Sequence, residues 1–408
     1  MHKIIARRLK SFPFYSFFVD SRSVGITLLM CTALSLILTN LGSIGVAYHD
    51  FWLKDISFFQ QLNLPSNLLH FVNDALMAVF FFHVGIEIKR EAIVGELSSF
   101  NKAMFPAISA LFGVAFPALI FLYITRGTGF EHGWAIPTAT DIAFSLGVLA
   151  MVGKSVPFSL KIFLTALAII DDLCAILIIA FFYGNAPKLI CLGGVILCIG
   201  TGLLVLKKLS NKKIRNMLFV IIGLIMWYCV YNSGIHATFA GIIMAMLLPI
   251  NKITRYESIL NFPVNFIIIP IFALANTSLY ISGASFANLV SPLSIAIILG
   301  LFIGKPLGIM SAAFILVKTK IINLPKNVTL KRFLGVGFLA GIGFTMSIFI
   351  STLAFENKLD GDTSKLAVLI ASLLSMVIGF IWLKISYPAK HIKEHEVKVE
   401  KHLSNRLA

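Results

Sequence analysis

The chain has 408 residues, 58% of them hydrophobic and only 13% charged. Its mean hydropathy of +0.92 excludes a soluble globular domain and defines a polytopic membrane protein, most simply one compact transmembrane domain. A formal net charge of +16 raises nucleic acid as a partner, but the positions of the lysines and arginines remove that reading.

The N-terminal stretch MHKIIARRLKSFPFYSFF is basic and amphipathic and carries no cleavage site after an apolar run. Residues 1–23 are therefore expected as a cytoplasmic or interfacial segment, not a cleaved leader. Windowed hydropathy predicts twelve spans: 24–44, 70–90, 104–125, 130–151, 158–183, 187–206, 214–231, 233–250, 258–282, 292–317, 330–354 and 364–387. They make an all-α transmembrane domain over 24–387, followed by a basic tail over 388–408. With the N-terminus set in the cytoplasm, the outer loops hold only Lys54, Arg126, Lys188, Lys358 and Lys365. Lys305 lies inside a span, and every other Lys and Arg of the 34 falls on the cytoplasmic side. That asymmetry predicts cytoplasmic N- and C-termini, and it makes the positive charge topological. The five cysteines (31, 174, 191, 198 and 229) have no metal-ligand spacing and read as small apolar residues, not as a disulfide framework.

Segment 45–69, the longest outer connection, alternates aromatic and polar residues; a short hairpin or an ordered loop would fit equally. The second span ends in Glu87, Lys89, Arg90, Glu91 and Glu96. Glu87, Arg90 and Glu91 share a helix face, which suits an ordinary ion-paired helix end or a proton-sensing cluster. His83 within the span reads as a packed residue able to titrate near neutrality. The fourth span contains WAIPTATDIAFSLG. Pro137 removes a donor before Thr138, Ala139, Thr140 and Asp141, so two half-helices with an unwound centre are expected. Carbonyls exposed there are able to ligate a cation, and Asp141 suits the start of the second half-helix.

The fifth span carries the largest anomaly. From Ile162 to Tyr183 every residue is apolar except Thr165, Asp171 and Asp172. Two adjacent carboxylates in mid-membrane cost several kcal/mol or more unless something offsets them, and such residues are usually functional. A satisfied polar pair inside the bundle is the plainer alternative. His236 beside Gly234 suits a cap, a packed ring or a pH-tuning group. Lys305, in IILGLFIGKPLGIM, is too deep in span ten to snorkel easily and must be paired, neutral or facing water. Span eleven, FLGVGFLAGIGFTMSIFISTLAF, is dense in glycine, with Thr345 and Ser347 after Gly335, Gly337, Gly341 and Gly343. Spans four and eleven are thus the interrupted ones, each the second member of a triplet (3–5 and 10–12), the mark of an inverted-topology repeat with its site at the crossing.

The stretches WAIPTATDIAFSLGVLAMVG, LTALAIIDDLCAILIIAFFY, SGIHATFAGIIMAM, LFIGKPLGI and GFLAGIGFTMSIFISTLAF, with NDALMAVFFFHVGIEIKRE, closely resemble the NhaA-type sodium/proton antiporters. The likeness runs in order from about Gly25 to Trp382. This family is itself a type case of the inverted repeat, so the two arguments are not independent. The resemblance implies crossing broken spans four and eleven, a cation and proton site at Asp171 and Asp172 with Thr140 and Asp141 beside it, and Lys305 with Asp141 compensating the helix-end dipoles. It implies a cytoplasmic pH-sensing group at Glu87, Arg90, Glu91, Glu257 and Lys252, with His236 on the far side. Members often carry a histidine directly after the Glu257 position; here it is Ser258, which bears on the pH set-point. The resemblance further implies a bacterial inner-membrane location, a homodimer formed through an outer hairpin at 45–60, and no cofactor beyond the transported Na+ or Li+ and H+. The expected activity is electrogenic export of sodium (or lithium) for entering protons, two per sodium, regulated by pH and not enzymatic.

A sodium-coupled solute symporter of related fold is the nearest competitor, but little beyond the cation site is visible for a substrate. An intramembrane aspartyl protease needs aspartates on different helices and a glycine-x-glycine-Asp run; here Gly343 is followed by Phe344. A passive channel suits the carboxylate pair and deep lysine less well than gated exchange.

Overall fold

The computed structural model describes residues 21–388, apart from 154, 185, 187, 323 and 325–327. The expected interfacial segment 1–23 and basic tail 388–408 lie almost wholly outside the described residues. Among the described residues the α-helices longer than six residues begin with α1 (Ser21–Thr39), α2 (Gly42–Leu53), α3 (Leu68–Ile93) and α4 (Phe100–Ile124). A tight 3-10 segment, Glu131–Thr138, precedes α5 (Ile142–Val152), α6 (Phe158–Phe182), α7 (Leu189–Lys208) and α8 (Lys212–Tyr231). Then come α9 (Phe239–Leu247), α10 (Ile250–Asn276), α11 (Pro292–Lys318), α12 (Leu330–Ala340), α13 (Phe344–Ala354) and α14 (Lys358–Ser386). Among the described residues ten helices are long and apolar enough to cross a membrane, or eleven if the bent pair α12–α13 is one span. Among the described residues the only β contact is an isolated bridge between Asp55 and Asn67.

Two predicted elements differ. The outer segment forms no hairpin; most of its first half is α2. Gly45, His49 and Trp52 are its buried residues, spaced four and three apart, so the segment follows a helical period and not a strand's period of two. A dimer built through an outer hairpin therefore has no hairpin here. The second difference is the stretch predicted as span 233–250, which is helical only over Phe239–Leu247. Gly234, at φ +92°, turns the chain where a side chain would be strained, and Ser233 Oγ donates to Val230 O at 2.7 Å.

The apolar side chains divide as a bilayer demands. On α7, Ile190, Ile196, Leu197 and Leu204 are exposed, an apolar face that suits lipid and not water. Inside, one large cluster surrounds the breaks in the fourth and eleventh predicted spans. There the rings of Phe105, Phe163 and Phe333 pack with centroids 4.5–5.6 Å apart, and Phe81 packs on Phe349 at 5.6 Å. A smaller cluster joins α7, α8 and α9 through Cys198, Met226, Val230, Met244 and Ala245.

His49 pins α2 to the segment after α10 and to the start of α14. Its Nδ1 lies 3.1 Å from Ser278 O, so that nitrogen carries the proton, and Lys358 Nζ lies 2.8 Å from Nε2. An imidazole that accepts from an ammonium must be neutral. Burial first, and then the Lys358 charge, hold its pKa below the usual value; Asp50 and Asp362 oppose this more weakly. A base whose folded pKa is depressed stabilises the fold above its unfolded pKa of about 6.5 and loses that contribution as pH falls below it. Thermal melts in detergent at pH 7.5 and 5.5 are expected to show a smaller acid-induced loss for His49→Gln than for the wild type. An equal loss in both proteins would show that His49 is not the group responsible.

Candidate functional site

The site lies where two apolar spans lose their helices. The 3-10 segment ends at Thr138, and Ala139 to Asp141 run on as extended backbone (Ala139 ψ 153°, Asp141 ψ 101°) before α5 begins. Likewise α12 ends at Ala340 and α13 starts at Phe344, with a 48° bend between them. Pro137 lies inside the 3-10 segment, where its missing N–H keeps a regular α-helical ladder from running through to the first break. Gly341 explains the second: a Cβ there would sit 2.5 Å from Leu301 O and 2.9 Å from Ser375 Oγ, so only glycine admits the approach.

Helix ends buried in an apolar interior need partners for their free backbone groups. The crossing supplies them from the opposite span. Asp141 N donates to Ile342 O at 2.7 Å, and Thr140 Oγ1 donates to Ala340 O at 2.7 Å. Asp141 is the N-cap of α5, its Oδ1 accepting from Phe144 N at 2.9 Å. Its Oδ2 accepts from Thr345 N at 3.2 Å and from the Thr345 hydroxyl. One carboxylate thus sits at the positive ends of both second halves. Lys305, 1% exposed where α11 resumes as α-helix after a π-helical turn at Gly300–Gly304, donates to Thr138 O at the negative end of the 3-10 segment. Its Nζ also lies 2.5 Å from Asp171 Oδ2. Of the three states the sequence allows for Lys305 (paired, neutral or facing water), the structure has it paired, with Asp171.

Asp171 and Asp172 project from α6, whose residues Phe158–Phe182 form one unbroken helix started by Pro157 at its N-cap. Neighbours on a helix point about 100° apart, so the two carboxylates line adjoining sides of one region. Both are buried, at 1% and 2% exposure, and Oδ1 of each accepts no hydrogen bond. Thr140 lies beside Asp171. The charges acting on Asp172 are Asp171, Glu87 and Asp141 on the negative side and Lys305 on the positive. An unpartnered carboxylate oxygen in such an interior calls for a cation or a proton.

At the far end of α3, Arg90 joins Glu91 (2.8 Å) and Glu257 on α10 (3.2 Å). Glu91 Oε2 accepts from Glu96 N at 2.9 Å, which closes the helix end. Glu87 feels the charges of Glu257, Arg90 and Glu91, and it also acts on Asp172, so it stands electrostatically between this cluster and the crossing. Lys252 does not join the cluster: its charged neighbours are Arg215 and Arg255, and no ion pair links it to the three glutamates among the described residues. It follows Pro249 in the first turn of α10, on a different part of that helix from Glu257. His236 is remote from Arg90, with Nε2 3.6 Å from Asp74 Oδ1, Nδ1 2.9 Å from Thr238 Oγ1, and its ring edge-on to Phe349. His83 is buried within α3 with Nδ1 unpartnered.

Sequence reasoning missed Thr345 as a partner of Asp141. Its signal was positional: a threonine just after a glycine-rich break stands where a helix start needs polar partners.

Opposed buried charges gathered where two helices break, in a chain of apolar helices, suit an ion-handling membrane transporter. Residues 15–383 match the family model described as Na+/H+ antiporter 1. The Na(+)/H(+) antiporter NhaA 2 of Flavobacterium johnsoniae is 45% identical over 380 residues, covering 91% of this chain and 92% of that protein. The Na(+)/H(+) antiporters NhaA of Salmonella typhi and Escherichia coli O1:K1 / APEC are each 42% identical, over 91% of this chain and 97% of theirs. The chain belongs to the NhaA Na+/H+ antiporter family.

Proposed function

We propose that this chain exchanges sodium for protons at Asp171 and Asp172. The observation that carries the proposal is the buried pair itself, each member with an unpartnered oxygen and Lys305 as the positive charge beside it. Two adjacent carboxylates in a low-dielectric interior do not both stay charged without a counter-charge, so protons and a partly dehydrated sodium ion compete for them. Competition at a site open to one side at a time is sufficient for exchange. Thr140 and the carbonyls at the crossing supply neutral oxygen ligands, Asp141 balances the two positive helix ends, and Lys305 holds Asp171 when sodium is absent. Lithium, with the same charge and hard-oxygen preference, is a second cargo.

The short α9 and the bent pair α12–α13 complete a twelve-span count, with the triplets built on α4 and α11 as inverted repeats of one domain over 24–387. Lysine and arginine placement supports cytoplasmic termini, and the bacterial relatives support an inner-membrane location. A second copy would meet the exposed Ile44, Val46 and Phe51 of α2. With two protons per sodium, each cycle moves one net charge, and the membrane potential contributes about 2.3 kcal/mol per 100 mV.

Everted vesicles with an acidified lumen test the proposal. Sodium alone, with no organic solute, is expected to release luminal protons and dequench a pH dye; dependence on an added solute would point to symport instead. The cluster of Glu87, Arg90, Glu91 and Glu257 supports pH regulation from the cytoplasmic face. Glu87→Gln and Glu257→Gln are expected to move the pH profile of this signal and to leave its maximum nearly intact. Loss of rate at every pH would assign these residues a structural role.

A further inference from the structure

Two serines at the crossing have no part in the roles above. Ser145 is the fourth residue of α5 and Ser347 the fourth residue of α13. Each is fully buried. Ser145 Oγ donates to Leu339 O, next to the last residue of α12, at 2.7 Å. Ser347 Oγ donates to Ile136 O, in the last turn of the 3-10 segment, also at 2.7 Å. The second half of each broken span therefore grips the end of the first half of the other.

This is not the ordinary behaviour of a buried helical hydroxyl, which bonds the carbonyl four residues back. Thr32 and Thr39 of α1, both buried, do that here, at 2.9 and 2.8 Å. Asp141 O and Gly343 O stand at the corresponding positions for Ser145 and Ser347, yet they receive only the serine backbone N–H groups. The carbonyls chosen instead are helix-end groups whose helices stop within a few residues.

We propose that Ser145 and Ser347 are positioning residues, a reciprocal pair of clamps that set the spacing of the two breaks and so the geometry of the sodium site. Neither is a hydrogen-bond partner of Asp171 or Asp172; both act through backbone. Ser347 holds Ile136, two residues before the Thr138 carbonyl that takes Lys305, and Lys305 in turn holds Asp171. Ser145 holds α5, whose cap Asp141 binds Thr345 at the start of α13. Releasing either clamp lets Lys305 or Asp141 drift relative to the aspartate pair. The inference rests on sodium exchange at that pair.

The test measures sodium-dependent proton release and sodium-dependent thermal stabilisation for the wild type, Ser145→Ala, Ser347→Ala and the corresponding threonine variants. Loss of one buried hydrogen bond is expected to raise the apparent KM for sodium about three- to tenfold. The maximal rate at saturating sodium stays within about twofold, since no ligand is removed. The sodium concentration giving half-maximal stabilisation shifts in step with KM, and the threonine variants, which keep the hydroxyl, return toward the wild-type value. Ser→Cys, similar in shape but a weaker donor, replaces any alanine variant that fails to insert and is expected to give an intermediate KM. An unshifted KM, a fall in rate equal at all sodium concentrations, or no rescue by threonine overturns the clamp. A wild type that releases no protons on sodium addition would instead overturn the function on which the clamp depends.

Discussion

Asp172→Asn is expected to abolish sodium-dependent proton release in everted vesicles while the protein still inserts and folds. The structure separates the two outcomes. Asp172 Oδ1 accepts no hydrogen bond, and no ion pair involves this side chain among the described residues. Asparagine has nearly the same shape, so the packing around α6 survives. What disappears is one negative charge at a position 2% exposed. A sodium ion that has shed part of its water shell then meets an amide dipole in place of a carboxylate, a deficit of several kcal/mol in a low-dielectric site. Even about 3 kcal/mol corresponds to more than 100-fold in affinity. The proton that would have left Asp172 is also gone, so both halves of the exchange fail together. Exchange within a few-fold of the wild type would sink the assignment.

Lys305→Met is expected to be the most destabilising single change at the crossing. Methionine fills a similar volume but leaves Asp171 Oδ2 and Thr138 O without their shared donor. Removing one partner of a buried pair leaves an uncompensated charge, typically at a cost of about 3–5 kcal/mol. Melting in detergent should show that loss as a clear fall in Tm. Adding Asp171→Asn to Lys305→Met removes the stranded charge and should restore most of the stability, because replacing both members of a buried pair is often nearly neutral. Exchange is not expected to return with it, since the double variant has lost a carboxylate. If the double variant melts no higher than the single one, the ion pair is not what Lys305 contributes to the fold.

Much of the site was legible because charge in an apolar span is conspicuous. Asp171, Asp172, Asp141 and Lys305 stood out for one reason, that the bilayer makes such residues costly. The breaks were legible from Pro137 and from the glycines around Gly341. Pairing was less so. Whether Lys305 meets Asp171 or Asp141 depends on where α11 passes the crossing, and no residue pattern along α11 encodes that. Lys252 illustrates the same limit: it sits near Glu257 in sequence, but its place in the first turn of α10 puts it among Arg215 and Arg255. The outer segment misled because aromatic and polar residues alternate in it, while its buried positions Gly45, His49 and Trp52 follow a helix. Which residues are buried against Ser278 and Lys358 is a tertiary fact.

The sequence by itself determined a membrane protein of apolar helices, the family to which it belongs, the carboxylate pair and the two places where helices must stop. These are local properties: hydropathy, backbone chemistry and the cost of a charge out of water act on a segment wherever its neighbours lie. Only the tertiary structure decided how the broken ends are satisfied. Asp141 spans the starts of α5 and α13, Lys305 joins Thr138 to Asp171, and Ser145 and Ser347 grip the opposite spans. A helix end buried in hydrocarbon must find its partners on another segment, and that partner is chosen by packing across some 200 residues of chain, beyond the reach of any local pattern.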